Sequence, residues 1–379
     1  MKQHNIEGID NAEQLEQLYR QHPQVKVGDV VELLAIAAFT AILVLLPVIF
    51  TGIGYEFFYL RDFALITFTG LILYSLRING SQDLGPILLI LAGLIILGIY
   101  MNLLPAGTGD SVATAILHAP LLLWFLFGIS YLRFNYRQLN GWLDFVRFSG
   151  ELIIMTGLIL LAGGVLTLIT MVLFQVIDIE IMPLYLHAIA LPGAAAAPVI
   201  AWYLIRTYPG ITSNIAPVIA RVFTPVVLLT LTVFLISLAF AKSNILANRE
   251  LLIVFNLMLL GVMALIVFSF SGINREKPGK NTLRLSFLLS ILAIVINFIA
   301  LMAIVSRVFE GLTPNRTVVM MTNILIFINL IMITPKLYRA SFRGGPTESI
   351  EKTVAGYLPV YAIWSLLAIF MLPAIFGFR

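Results

Sequence analysis

The chain has 379 residues, of which 60% are hydrophobic and 11% charged, with no cysteine and a formal charge of +4. A soluble domain carries about 25% charged residues and could not bury this much apolar surface, and a disordered chain would lack it. The numbers exclude a soluble enzyme and a disordered tail, and they leave an all-α polytopic integral membrane helical bundle.

In chain order, residues 1–28 read as a short cytoplasmic N-terminal segment. Within it, residues 10–21 form an amphipathic helix, with Asp10 as N-cap, Glu13 three residues on, and Leu15, Leu18 and Tyr19 on one face. The first apolar run is too long for a cleavable signal and reads as an anchor. A span needs about 20 apolar residues. On that basis the spacing predicts eleven transmembrane helices near 29–53, 57–77, 84–104, 111–131, 149–178, 181–206, 221–241, 250–271, 284–306, 315–334 and 354–376. Turn chemistry separates most of them, as at Asn79-Gly80, Pro105-Ala106-Gly107, Pro209-Gly210 and Gly344-Gly345-Pro346. Residues 134–148 mix Phe134, Tyr136, Trp142, Phe145 and Phe148 with Arg137 and Arg147, which fits a helix lying in the interface. No loop is long enough for a globular unit, so 29–379 is a single transmembrane domain.

Orientation follows from the cations in alternate loops. One side collects Lys2, Arg20, Lys26, Arg77, Arg133, Arg137, Arg147, Arg206, Arg221, Arg275, Lys277, Lys280, Arg284, Lys336, Arg339, Arg343 and Lys352. The other holds Arg61, Lys242, Arg249, Arg307, Arg316 and Arg379, six against seventeen. The N-terminus is therefore placed in the cytoplasm and, with an odd number of helices, the C-terminus outside.

Charges inside a membrane are costly and by default mark function. Here nearly all lie near helix ends, which argues against a midplane carboxylate relay. Glu151, near the cytoplasmic end of the fifth helix, and His118, about 10 Å inside the fourth, are the candidates for proton handling. His187 is similarly shallow. No catalytic signature, nucleotide-binding glycine loop or multi-histidine set is present, so no metal, cofactor or catalytic residue is expected. Lys and Arg are dispersed between spans, without the clustering that nucleic acid requires.

Two features remain as candidate ligand sites. Pro192, Gly193 and Pro198 lie in the sixth helix, where proline should kink or break it. Broken helices form sites in transporters, although Gly193 and Ala197, four apart, also suit close helix packing. The second feature is a pair of similar helix starts. Asn248-Arg249 is followed by Asn256, and Asn315-Arg316 by Asn323, each Asn seven residues after its Arg. The spacing suggests repeated hairpins at 221–271 and 284–334. Arg249 and Arg316 would then frame an outward-opening site above Asn256, Asn297 and Asn323. The plain alternative is Asn bonding between helices and Arg snorkelling to headgroups.

The turn before the tenth helix has its own physical reading: Thr313 caps the helix, Pro314 fits its first position, and Glu310 can pair with Arg316. The string Leu312-Thr313-Pro314-Asn315-Arg316 resembles the signature of a bacterial polytopic family, domain of unknown function 4153. Arg133-Phe134-Asn135 before the fifth helix and Asn248-Arg249-Glu250 at the eighth are similar to the family's arrangement. The resemblance implies a bacterial inner-membrane setting and no mechanism.

The expectation is a transporter- or channel-like inner-membrane protein for a small or lipidic ligand, with membrane lipids as partners. A scaffold or sensor subunit, docking a protein or anionic lipid through basic loops at 275–284 and 336–352, is the rival. A lipid-modifying intramembrane enzyme is the third.

Overall fold

A computed structural model describes residues 27–50, 52–80, 83–106, 109–175, 181–207, 249–268, 279–309 and 311–378, with parts of 224–236. The amphipathic helix expected at 10–21 lies outside these residues. Helices make up the fold, and no strand occurs among the described residues. The helices are α1 (Val27–Val44), α2 (Tyr55–Asn79), α3 (Leu84–Leu103), α4 (Asp110–Tyr131) and α5 (Leu139–Gln175). They continue as α6 (Met182–Thr207), α7 (Arg249–Phe268), α8 (Lys280–Val308), α9 (Pro314–Arg343) and α10 (Glu348–Ile375).

Eight of these, α2 to α6 and α8 to α10, are long and apolar enough to cross a membrane. Of the other three expected spans, 29–53 corresponds to α1 and a short turn of helix at Leu46–Ile49, interrupted at Leu45. Pro47, in that short helix, offers no N–H to the Leu43 carbonyl, which accounts for the interruption. The span at 221–241 lies largely outside the described residues. The third is α7, in which Met258–Val267 is a shorter apolar stretch.

Two stretches differ from their expected form. The aromatic-basic segment 134–148 is not a separate interfacial helix, because α5 starts at Leu139 and runs unbroken into its span. Trp142 and Phe145 are buried and stack into the core beneath α4. The absent side chain of Gly128 makes the room: an added Cβ would sit 2.5 Å from the Trp142 ring and 2.8 Å from Phe145. The sixth helix, expected to kink or break at its prolines, does not break, but its winding changes before the first of them. A π turn at Leu186–Ala190 precedes Leu191-Pro192, and the α-helix then runs on through Pro198 to Thr207. The wider turn takes up the steric conflict between the Pro192 ring and the preceding carbonyls.

The core divides into two bundles. Side chains from α1 to α6 form the first, around Leu97, Leu123, Phe127, Phe145 and Trp202. The second joins α7, α8 and α9 around Leu259, Leu289, Ile326 and Leu330, and Leu231 adds to it. Its centre is the α8–α9 hairpin. Buried Ser286, Ser290, Ala293, Asn297, Ala300 and Ile304 of α8 recur in alternate steps of four and three. Asn323, Ile326, Leu330, Ile333, Leu337 and Ala340 do the same on α9. Small residues on one helix let the other backbone approach, the usual basis of association where lipid removes the hydrophobic drive.

The last helix, α10, belongs to both. Ala355, Leu358 and Ile369 pack in the first bundle, Ile350 and Val354 in the second. It too contains a π turn, Leu367–Met371, followed by Leu372-Pro373, the same order as in α6.

Candidate functional site

One ridge of α10, the helix shared by both bundles, carries a regular row of hydroxyls that winds around it. Ser349, Thr353, Tyr357, Tyr361 and Ser365 recur every fourth residue and therefore form one ridge of the helix. Thr353, Tyr357 and Ser365 are buried. At helical rise the row from Ser349 to Ser365 extends about 24 Å, most of a hydrocarbon core of about 30 Å. One step further, the row ends on a backbone carbonyl. Pro373 has no N–H for Ile369, and the Tyr100 hydroxyl of α3 donates to the Ile369 carbonyl at 2.9 Å.

The side chains that reach the hydroxyls of this row come from α9. Lys336 of α9 donates to the Thr353 hydroxyl, and Thr353 donates to the Ser349 carbonyl at 2.8 Å. Asn329 of α9 donates to the Tyr361 hydroxyl at 3.1 Å, and Ser365 returns a bond to the Tyr361 carbonyl at 2.9 Å. Tyr357 lies edge-on to Tyr361, with ring centroids 5.1 Å apart. At the Ser349 end, Arg147 of α5 pairs with Glu351 at 3.0 Å and more loosely with Asp144 at 3.4 Å. A cavity there is lined by Leu143, Val146, Arg147, Val267, Ile350 and Glu351.

The expected site residues fall into four groups. Asn297 and Asn323 do meet: the Asn297 amide donates to the Asn323 backbone carbonyl at 3.1 Å, and both residues are fully buried in the α8–α9 seam. The side-chain amide of Asn323 has no hydrogen-bond partner among the described residues, and neither do the amide oxygens of Asn297 and Asn329. Unpaired buried amides cost roughly 1–3 kcal/mol each.

Arg316 does not hang free over this seam. Its guanidinium donates to the Arg307 carbonyl at 2.7 Å and the Gly311 carbonyl at 2.9 Å, closing the turn from α8. The Thr313 hydroxyl accepts from the Arg316 N–H, the cap its position promised. Glu310, and the side chains of Arg249 and Asn256, lie outside the described residues, as does most of the first copy of the expected hairpin repeat.

The α6 prolines sit against the first bundle. Pro192, Ala195, Ala196 and Ala197 are buried, whereas Gly193 is exposed with open space around it and Pro198 is half-buried. The close approach expected of Gly193 and Ala197 is made instead by Gly70 of α2, against Thr40 and Val199.

Glu151 and His118 are both buried. Because α5 starts early, Glu151 lies twelve residues into its helix, about 18 Å from Leu139, rather than near its start. The His118 Nδ1 is 2.9 Å from the Thr114 carbonyl, and its ring stands edge-on to Trp364 of α10, centroids 6.1 Å apart. His187 stacks on Tyr55 at 4.1 Å.

Sequence reasoning missed the hydroxyl row because it weighted charge and proline. The Ser-Thr-Tyr-Tyr-Ser recurrence at intervals of four was the available signal. It also passed over Arg61, which falls only slightly inside the second expected span. The Arg61 side chain is buried and donates to the carbonyls of Met101, Leu104 and Pro105 at 2.5–2.8 Å, capping α3. Beside it, Asp62 accepts from Asn102 at 2.8 Å. Among the described residues no group of three or more His, Asp or Glu is placed to hold a metal ion.

No family model, no curated protein and no solved structure matches the chain.

Proposed function

We propose that this integral membrane protein is transporter- or channel-like, handles a small or lipidic ligand, and passes it along the hydroxyl row of α10. The observation that carries the reading is the row itself. Five hydroxyls at one helical interval wind along α10, the helix that packs in both bundles, and the next step of the ridge is the Ile369 carbonyl that Pro373 leaves without its N–H. Ser and Thr in a span can bond back to their own helix, as Thr353 and Ser365 do, whereas the Tyr357 and Tyr361 hydroxyls are carried beyond their own backbone and need a partner outside α10, protein or ligand. A helix packed between two bundles, with a π turn near one end, is also the element that can shift without unfolding either bundle. No carboxylate lies on α10 between Glu351 and Ile369, which favours passage without proton coupling through this row.

The rest of the reading depends on sequence pattern. The split of seventeen cations against six supports eleven spans with the N-terminus in the cytoplasm and the C-terminus outside. The pentapeptide at 312–316 supports membership of domain of unknown function 4153 and a bacterial inner-membrane location.

The chain has no cysteine, so single cysteines can be introduced without background. Cysteines at Tyr357, Tyr361 and Ser365 should react with a charged methanethiosulfonate reagent in membrane vesicles. Cysteines at the lipid-facing positions Ile363 and Leu367 should not. Equal protection at all five positions would mean a dry junction, and would favour the scaffold reading instead.

A further inference from the structure

The end of the second bundle where α8 begins and α9 finishes carries a basic cluster mounted on aromatic rings. Phe287, Tyr338 and Phe342 form a triangle with centroids 5.4–5.6 Å apart. The Arg284 guanidinium lies 5.7 Å from the Phe342 centroid, and that of Arg343 lies 5.5 Å from Tyr338. Lys280 precedes Arg284 by one turn, Arg339 precedes Arg343 by one turn, and all four cations are exposed. Tyr338 and Phe342 are themselves 40% and 52% exposed, despite their apolar rings.

This cluster differs from three other cations near helix ends. Arg77 is paired with Glu32, and Arg147 with Glu351. Arg61 is spent on three carbonyls. Lys280, Arg284, Arg339 and Arg343 have no carboxylate partner among the described residues. The geometry is also fixed. Gly344 takes a left-handed φ of 66°, and the Gly344 and Gly345 N–H groups both return to the Arg339 carbonyl, the latter at 3.0 Å, which closes the end of α9. Arg339 and Arg343 are thereby held one turn apart on regular helix.

We infer that this cluster binds the phosphodiester headgroup of an anionic membrane lipid. Guanidinium forks match phosphate oxygens in bidentate geometry, and their stacking on rings keeps them pre-oriented. The ring triangle supplies the apolar surface on which the glycerol and upper acyl chain rest, the usual depth of membrane aromatics. A zwitterionic lipid offers the same apolar part but no net charge to offset four cations. Free phosphate offers the charge but would leave the rings uncovered. The anionic lipid satisfies both halves of the surface.

The test is native mass spectrometry of the full chain released from nanodiscs holding equal amounts of phosphatidylglycerol and phosphatidylcholine. The wild-type chain should retain phosphatidylglycerol several-fold more often. The combined variant Arg284→Gln, Arg339→Gln and Arg343→Gln should fall to parity while keeping its thermal unfolding profile. Arg137→Gln, remote from the rings in sequence, should keep the preference. If the combined variant fails to fold, Arg284→Gln alone carries the test, with a smaller but measurable fall. Parity in the wild type, or an undiminished preference in the variant, overturns the inference. Excess inorganic phosphate separates the two sources of the chemistry: adducts that survive it support a lipid site, and adducts fully displaced by it identify a phosphate site and overturn the lipid assignment.

Discussion

Replacing Arg61 with Met keeps most of the stem volume and removes the guanidinium that caps α3. In the folded chain that group satisfies three carbonyls, at Met101, Leu104 and Pro105, and lies 4.1 Å from the Phe57 ring centroid. A hydrogen bond from a charged donor is worth roughly 1.5–3 kcal/mol net. Three bonds from one group are not additive, and a chain unfolded within the membrane finds other partners, which reduces the sum. The expected loss is therefore about 2–4 kcal/mol, seen as a lower midpoint of thermal unfolding in detergent. Arg61→Lys keeps the charge but has one ammonium in place of a fork, so it should recover only part of the loss. Asp62→Asn, which leaves the cap intact, should cost less than Arg61→Met. A midpoint for Arg61→Met within experimental error of wild type would refute the capping argument.

Three further outcomes follow from packing and polarity. Gly128→Ala forces a Cβ to within 2.5 Å of the Trp142 ring and should cost about 1–3 kcal/mol, whereas Gly157→Ala, with nothing within 4 Å, should be neutral or slightly stabilising. The pair is read by thermal unfolding under one detergent. Asn323→Leu removes an amide that has no partner among the described residues and should leave stability unchanged or raise it, while Asn297→Leu loses its bond to the Asn323 carbonyl and should cost about 0.5–1 kcal/mol. The reverse order would show that the Asn323 amide is held by a group inside the seam. Tyr361→Phe keeps the ring but strands the Asn329 amide, so it should destabilise by about 1 kcal/mol, and Asn329→Leu on that background should restore much of the loss. A double-mutant cycle with no coupling would remove this rung from the row.

The hydropathy pattern made the helices legible because a span is set by length and apolarity, both visible in one chain. Eight apolar helices follow it, and Thr313 caps α9 as its side-chain chemistry requires. Tertiary packing decided the rest. Trp142 and Phe145 look interfacial in one dimension and become core only because Gly128 opens a slot on another helix. Pro192 looks like a break, yet one π turn absorbs it. Arg316 looks free until its turn brings two carbonyls within reach. Asn297 and Asn323 were legible as buried amides that meet. The hydroxyl row was readable in principle, as residues of one type every four positions. Its significance depends on α10 lying between two bundles, which no local pattern records.

The most direct test of that row is a high-resolution density map of the chain in lipid nanodiscs. The account predicts ordered water or ligand density within hydrogen-bonding distance of the Tyr357, Tyr361 and Ser365 hydroxyls, in addition to the bonds that Tyr361 and Ser365 make within the chain. A map with no water or ligand density beside any of these three hydroxyls would contradict it.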